Sequence, residues 1–141
     1  MTQGENHSID LRSWLETLEK HGELRRISAE VDWREEIGAV ARINLSLDGP
    51  GLLFENIRDH KHTRCTKFLT GTLGNRRQVC LLLGLPTDTP DKTIIQHLRA
   101  CYRRGIPPVE VATGPVKTHK LAGADLDLGE FPVPHWHHLD G

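Results

Sequence analysis

The chain has 141 residues, a formal net charge of −1, 37% apolar and 26% charged residues. A compact domain of this size buries about 68–70% of the surface its unfolded chain exposes, so a core is possible without disulfides, and the composition excludes a collagen, a coiled coil and a strongly charged disordered tail. Near-zero charge argues against a nucleic-acid binder, which needs a basic face, and no apolar run is long enough for a membrane span.

The N-terminal stretch from Met1 to Asp10 is polar and has no apolar signal-peptide centre. Asp10 is placed to cap a first helix, in which Leu11, Trp14, Leu15 and Leu18 recur at i, i+3, i+4 and i+7 and make one apolar stripe. Gly22 supplies its left-handed stop, and a short strand over Glu23 to Ile27 follows. A second helix is expected from Asp32, with Glu35 three residues on as a capping box and Ile37, Val40, Ala41 and Leu45 as its apolar face. Asp48-Gly49-Pro50-Gly51 ends it. Leu52 to Ile57 and Cys65 to Thr70 read as strands flanking the charged loop Arg58 to His62. The apolar run from Val79 to Leu83 reads as helix and ends at Gly84 and Pro86. A helix from Pro90 to Arg104 follows, with Thr89 as its cap and Ile94, Ile95, Leu98, Cys101 and Tyr102 as its buried stripe. Val109, Val111 and Val116 suggest short strands, and the alternate prolines of Phe131 to His138 predict an extended segment that is not a central strand. The expected fold class is α+β: a small mixed sheet packed by about four helices, then an extended Pro/His-rich C-terminal segment that packs poorly alone.

Motifs that could carry chemistry are sparse. Cys65, Cys80 and Cys101 are odd in number and widely spaced, which fits a reducing, cytoplasmic setting rather than a disulfide framework; Cys80 and Cys101 read as buried apolar residues. His135, His137 and His138 invite a metal reading, but only Asp140 lies near, and a catalytic zinc site needs three converging ligands. Gly71-x-x-Gly74 ahead of Arg76-Arg77 could cradle a phosphate, yet it is neither a P-loop nor a dinucleotide fingerprint, so a strand-to-helix turn is the better reading. The basic run from Arg58 to Lys67 lacks interleaved aromatics. Glu35-Glu36 and Asp125/Asp127 are carboxylate pairs in a helix cap and a turn, and Ser8, Ser13, Ser28 and Ser46 lack a G-x-S-x-G elbow. No catalytic, cofactor-binding or metal-binding residue is assigned from these patterns.

Several segments, in order, resemble the start of the UbiD-like decarboxylases (3-octaprenyl-4-hydroxybenzoate decarboxylase and relatives). They are Asp10 to Leu15 with Gly22-Glu23-Leu24, Val31-Asp32 with Glu36 to Arg42, Gly51 to Ile57, and Gly71 to Arg77 ahead of Leu83 to Pro86. Ile106 to Val109, Gly114-Pro115-Val116 and Phe131 to His137 with Asp140-Gly141 complete the set. The resemblance implies reversible decarboxylation of an aromatic or α,β-unsaturated acid with prenylated FMN, manganese and potassium, the flavin acting as electron sink. It implies an N-terminal α/β domain over residues 1–113 and a lead-in, residues 114–141, to a flavin-binding split-barrel domain. The family's metal ligands and catalytic residues follow the segment matched by Asp140-Gly141, so none maps onto this chain, which alone is expected to be inactive and cofactor-free. The implied partners are the flavin-binding and C-terminal domains, with a homo-oligomer when complete, no nucleic acid and no membrane span. Two alternatives are a non-catalytic accessory subunit completing a separately encoded decarboxylase, and a His-rich metal-binding module.

Overall fold

A three-stranded mixed sheet organises the first part of the chain in the computed structural model, which describes residues 10–140. The polar N-terminal stretch, Ser8 and Gly141 lie outside them. The central strand β2 (Gly51–Phe54) pairs in parallel with β1 (Leu24–Ile27) and antiparallel with β3 (Phe68–Thr70). All four residues of β2 are buried, as expected for a continuous apolar run covered on both faces. Leu52 and Phe54 join Val31, Ile37 and Ile57 in the core cluster, and Leu53 points to the opposite face. Ile57 falls outside the strand and makes an isolated parallel bridge to Val31.

Helix α1 (Leu11–Lys20) packs against β1 and against α3 (Arg76–Leu82), burying Trp14, Thr17 and Leu18. Asp10 accepts from the Ser13 backbone N–H at 2.9 Å and Ser13 Oγ accepts from the Asp10 N–H at 3.1 Å, a reciprocal cap. Gly22 has φ +71°, the left-handed stop its position predicts. Helix α3 is capped the same way by Asn75 and Gln78, and Cys80 within it is fully buried.

Helix α2 (Glu36–Ser46) starts later than the sequence suggests, and its capping pair is shifted by one residue. Glu36, not Glu35, returns to Asp32: its Oε2 accepts from the Asp32 N–H at 2.6 Å, while Asp32 Oδ1 accepts from the Arg34 N–H at 2.8 Å. The register slips because Glu35 sits in a tight turn, with φ +66° and ψ −34° and the Glu36 N–H bonded to the Arg34 carbonyl at 2.8 Å. That is a γ-turn of the rare, strained hand. Leu45 does not join the apolar face of α2 in the core; it is 56% exposed.

The chain forms two compact units, residues up to 89 together with those from 129 onward, and Pro90–Leu128. The second holds α4 (Asp91–Arg103) and two short 3₁₀ turns, Pro115–Lys117 and Gly123–Asp125. Three sequence expectations fail here. Of the expected stripe on α4 only Ile94 is buried, while Ile95, Leu98, Cys101 and Tyr102 are exposed. No strand of this unit covers them. Thr89 does not cap α4: its hydroxyl bonds the Pro86 carbonyl at 2.6 Å, and Pro90 occupies the cap position. Val109, Val111 and Val116 form no strands; Pro107, Pro108 and Pro115 remove ladder donors around them, and no partner strand lies in the unit.

The C-terminal segment, expected to pack poorly alone, is docked. Pro132 and Pro134 are buried. His135 bridges to Arg34 in parallel fashion: its N–H donates to the Trp33 carbonyl at 3.1 Å, and its carbonyl accepts from the Glu35 N–H at 2.9 Å. The His135 and His60 rings both meet the Trp33 indole edge-on, with centroids at 5.0 and 6.0 Å, and Trp136 meets Phe68 at 6.0 Å. Asp140 Oδ2 accepts from the Trp136 and His137 N–H groups at 3.1 and 2.9 Å, closing the segment into a turn.

Candidate functional site

Helix α2, the ends of β2 and β3 and the docked C-terminal segment enclose a half-open cavity of about 550 Å³. Gly38, Ala39 and Ala41 on α2 leave the space; Leu45 and Leu52 give it apolar walls. Trp136, His137 and His138 form the wall contributed by the C-terminal segment, and Thr70-Gly71 the rim at the end of β3. Gly38 fixes how closely that segment approaches. A Cβ there would lie 2.8 Å from the Trp136 carbonyl oxygen and 3.0 Å from its Cα. A glycine inside a helix costs about 1 kcal/mol against alanine, and here the close approach of the Trp136 backbone leaves no room for a side chain.

Polar groups line the cavity at separate places. Glu35 stands at the strained turn, and Arg42 lies two helical turns further, about 10 Å along the axis. Arg42, like Arg25, Arg34 and Arg76, has no carboxylate within ion-pair distance among the described residues; Arg26, Arg58, Arg64 and Arg77 are ion-paired. Neither Arg42 nor the cavity is visible as a site in the sequence, because both arise from the fold of the C-terminal segment onto α2.

The residues singled out in the sequence are mostly engaged elsewhere. His135 packs on Trp33, away from His137 and His138 at the cavity, and among the described residues no three His, Cys, Asp or Glu side chains converge as metal ligands. The Gly71–Gly74 loop is a turn that leads into the reciprocal cap of α3: the Gly74 N–H bonds Gln78 Oε1 at 2.7 Å, and Asn75 Oδ1 takes the Gln78 N–H at 2.9 Å. Arg76 donates to the Thr89 carbonyl, and Arg77 is held by Glu23 and Asp48. In the basic run, Arg58 and Lys61 pair with Glu30, Arg64 with Glu130 and Lys67 with Glu55. Cys101 is exposed, against expectation, because the α4 stripe is uncovered.

Ion pairing shapes the titration of the sheet's surface. The Arg26 guanidinium holds the Glu19 carboxyl below its ordinary range, Lys67 and then Arg26 do so for Glu55, and Lys61 does so for Glu30. Glu23 and Asp48 raise the already high pKa of Arg77. Glu23 is buried and accepts from Arg77 Nε and, at 3.0 Å, from Asn75 Nδ2, so it ties β1 to the start of α3.

The family model for the 3-octaprenyl-4-hydroxybenzoate carboxy-lyase N-terminal domain matches residues 15–98. The chain belongs to this family. Its UbiD relatives include the pyrrole-2-carboxylic acid decarboxylase of Pseudomonas aeruginosa, 34% identical over 95% of this chain and 28% of the relative. Ferulic acid decarboxylase 1 of Candida dubliniensis is 33% identical over 96% of this chain and 29% of the relative. An evolved dimeric form of the UbiD-class enzyme HmfF from Pelotomaculum thermopropionicum, solved in complex with prFMN, superposes with a TM-score of 0.72 at 29% identity, covering 94% of this chain and 29% of that one. The chain therefore spans less than a third of the length of these relatives, and its similarity runs across both of its compact units. The likeness read from the ordered segments holds across the chain, and the α+β class agrees with the four α-helices and mixed sheet of the described residues.

Proposed function

We propose that this chain is the N-terminal domain of a prenylated-FMN-dependent decarboxylase that acts reversibly on an aromatic or α,β-unsaturated carboxylic acid in the cytoplasm. The observation that carries the reading is the family match over residues 15–98 together with decarboxylase relatives aligned over 95% and 96% of the chain. The relatives' names supply both substrate types, a pyrrole carboxylate and an acrylic side chain, and HmfF supplies the cofactor.

In this reading the chain's own work is structural. The sheet and α2 make a rigid wall, and the docked segment from Gly129 onward hands the chain to the flavin-binding part. Manganese and potassium, as the resemblance implies them, belong to the complete enzyme. The prenylated flavin, where bound, stabilises the electron pair left when CO₂ departs. The partner is the flavin-binding and C-terminal portion, either on the same polypeptide or as a separate subunit, and the complete enzyme is a homo-oligomer. Mass spectrometry of the protein from its source tests this. A longer product that includes these residues, or a 141-residue product that co-purifies with a larger flavin-binding subunit, is expected. A solitary 141-residue product that releases CO₂ from an aryl or acrylic acid would overturn it.

A further inference from the structure

We propose that helix α4 is the surface on which the flavin-binding and C-terminal portion of the enzyme seats: Ile95, Leu98 and Tyr102 enter an apolar groove there, and Lys92, Arg99 and Arg103 meet an acidic rim. The proposal rests on the decarboxylase reading for the existence of that portion and names the contact it makes.

Ile95, Leu98 and Tyr102 recur at i, i+3 and i+7, so they stack on one side of α4. They are 50%, 45% and 93% exposed, and of the apolar residues of this helix only Ile94, in the first turn, is buried. The uncovered surface continues past the helix end: Ile106 and Val109 are 89% and 84% exposed, with Pro107 and Pro108 between them barring further helix. A contiguous apolar strip of this kind on a folded chain marks an interaction surface. Lys92, Arg99 and Arg103, at i, i+7 and i+11, form a row along one edge of the stripe. None of the three has a carboxylate within ion-pair distance among the described residues. The anchors of a helix laid in a groove recur at this same spacing, and a basic row beside them calls for carboxylates on the rim of the groove.

The relatives select the occupant. The two decarboxylases align over 95% and 96% of this chain, α4 included, and this chain spans 28% and 29% of them. More than two thirds of such a polypeptide is therefore available to cover the stripe. A second copy of the chain fits less well. The 13 residues of α4 make fewer than two heptads, and a symmetric pair would bring two basic rows along one seam, with Asp91 the only acid on the helix to offset them. Three anchors over two turns also give a lipid surface little apolar area to hold.

The test compares this chain alone with the complete enzyme, taken as the longer polypeptide or as the chain with its co-purifying subunit. Cys101 lies one turn beyond Leu98 and is exposed, so its alkylation by iodoacetamide, followed peptide by peptide in mass spectrometry, reports on the stripe. Alkylation should be fast in the chain alone and about a hundredfold slower or more in the complete enzyme, as for a thiol reached only by local opening. This comparison depends on no variant. Leu98→Glu should restore fast alkylation in the complete enzyme and leave thermal unfolding of the chain alone unchanged, while Leu98→Met should keep the protection. Reversing both Arg99 and Arg103 to glutamate should speed alkylation in the complete enzyme about tenfold or more, by setting like charges against the rim. Equal alkylation in the two samples, with the longer product or the subunit present, overturns the docking and leaves the decarboxylase reading standing; a solitary 141-residue product overturns both. Protection that grows with concentration in the chain alone would give the stripe to a second copy. Capture of the complete enzyme by phosphatidylglycerol vesicles, lost in Leu98→Glu, would give it to a membrane. Either result would overturn the proposal, as would an unchanged rate in the double reversal.

Discussion

Replacing Gly38 with alanine tests whether the C-terminal segment is truly seated on α2. In an exposed helix interior the change would stabilise the protein by about 1 kcal/mol, through reduced backbone entropy and better helix propensity. Here the new methyl group would meet the Trp136 carbonyl oxygen at 2.8 Å, its Cα at 3.0 Å and its ring at 3.2 Å. Two of these three atoms are backbone, and that backbone is held on both sides, by the His135 bridge to Arg34 and by Asp140 Oδ2. The neighbour therefore yields little, and overpacking of this kind costs about 1–3 kcal/mol, with the upper half of the range expected against a fixed backbone. Set against the propensity gain, the net effect is about 1–2 kcal/mol destabilising, or a melting temperature about 3–6 °C lower for a chain of this length. Thermal and urea unfolding of the full chain measure it. The same substitution in a chain ending at residue 130 supplies the control, because the clash is gone and only the propensity term remains; there it should stabilise. A Gly38→Ala variant that stabilises both chains equally would refute the docking of the segment.

Three further outcomes follow from the same geometry. Glu23→Ala leaves Asn75 Nδ2 and Arg77 without their buried acceptor at the junction of β1 and α3, so a loss of about 2 kcal/mol is expected in urea unfolding, with Glu23→Gln less severe because its amide oxygen still accepts. Glu19, Glu30 and Glu55 have carboxyls held below the ordinary 4.5, by Arg26, Lys61 and Lys67 respectively. Between the folded and unfolded values the unfolded chain binds more protons, so their contribution is fully present above about pH 4.5 and is lost as pH falls through the lower folded values. These groups are solvent-exposed, so high salt should flatten the acid limb of the stability profile. A thiol reagent should label exposed Cys101 rapidly and Cys80 only at the rate of unfolding; prompt labelling of Cys80 would contradict its burial in α3.

What the sequence reveals follows the range of the interaction. Caps and stops are local, so Asp10, Gly22 and Gly84 announce the ends of their helices from neighbouring residues alone. The apolar run Leu52-Leu53-Phe54 announces a strand, which the structure buries on both faces. The errors come where a distant contact decides. Glu35 has the right spacing from Asp32 to complete a capping box, but the His135 carbonyl, a hundred residues away, takes the Glu35 N–H and favours the γ-turn that hands the capping role to Glu36. His60 lies in a charged loop and still ends up buried, because Trp33 offers its ring edge from another loop. The α4 stripe fails for the opposite reason: its helical period is correct, but periodicity predicts only that a face is apolar, and burial needs a second surface.

The cavity ties these long-range contacts together. Its wall exists because Trp136 can lie against Gly38, its rim because Glu35 is held by His135, and its cation because Arg42 lies on the face that the small residues of α2 leave open. Each of these residues is ordinary in the sequence: a glycine and two alanines in a helix, an acid near a cap, an arginine, and a tryptophan between histidines. A local reading assigns them to helix surface and linker. The tertiary fold instead places a rigid aromatic surface and a guanidinium with no ion pair among the described residues in one concave space. Removing the C-terminal segment should therefore abolish the cavity while leaving the sheet and its buried strand β2 intact, since none of the core residues Val31, Ile37, Leu52, Phe54 and Ile57 belongs to that segment.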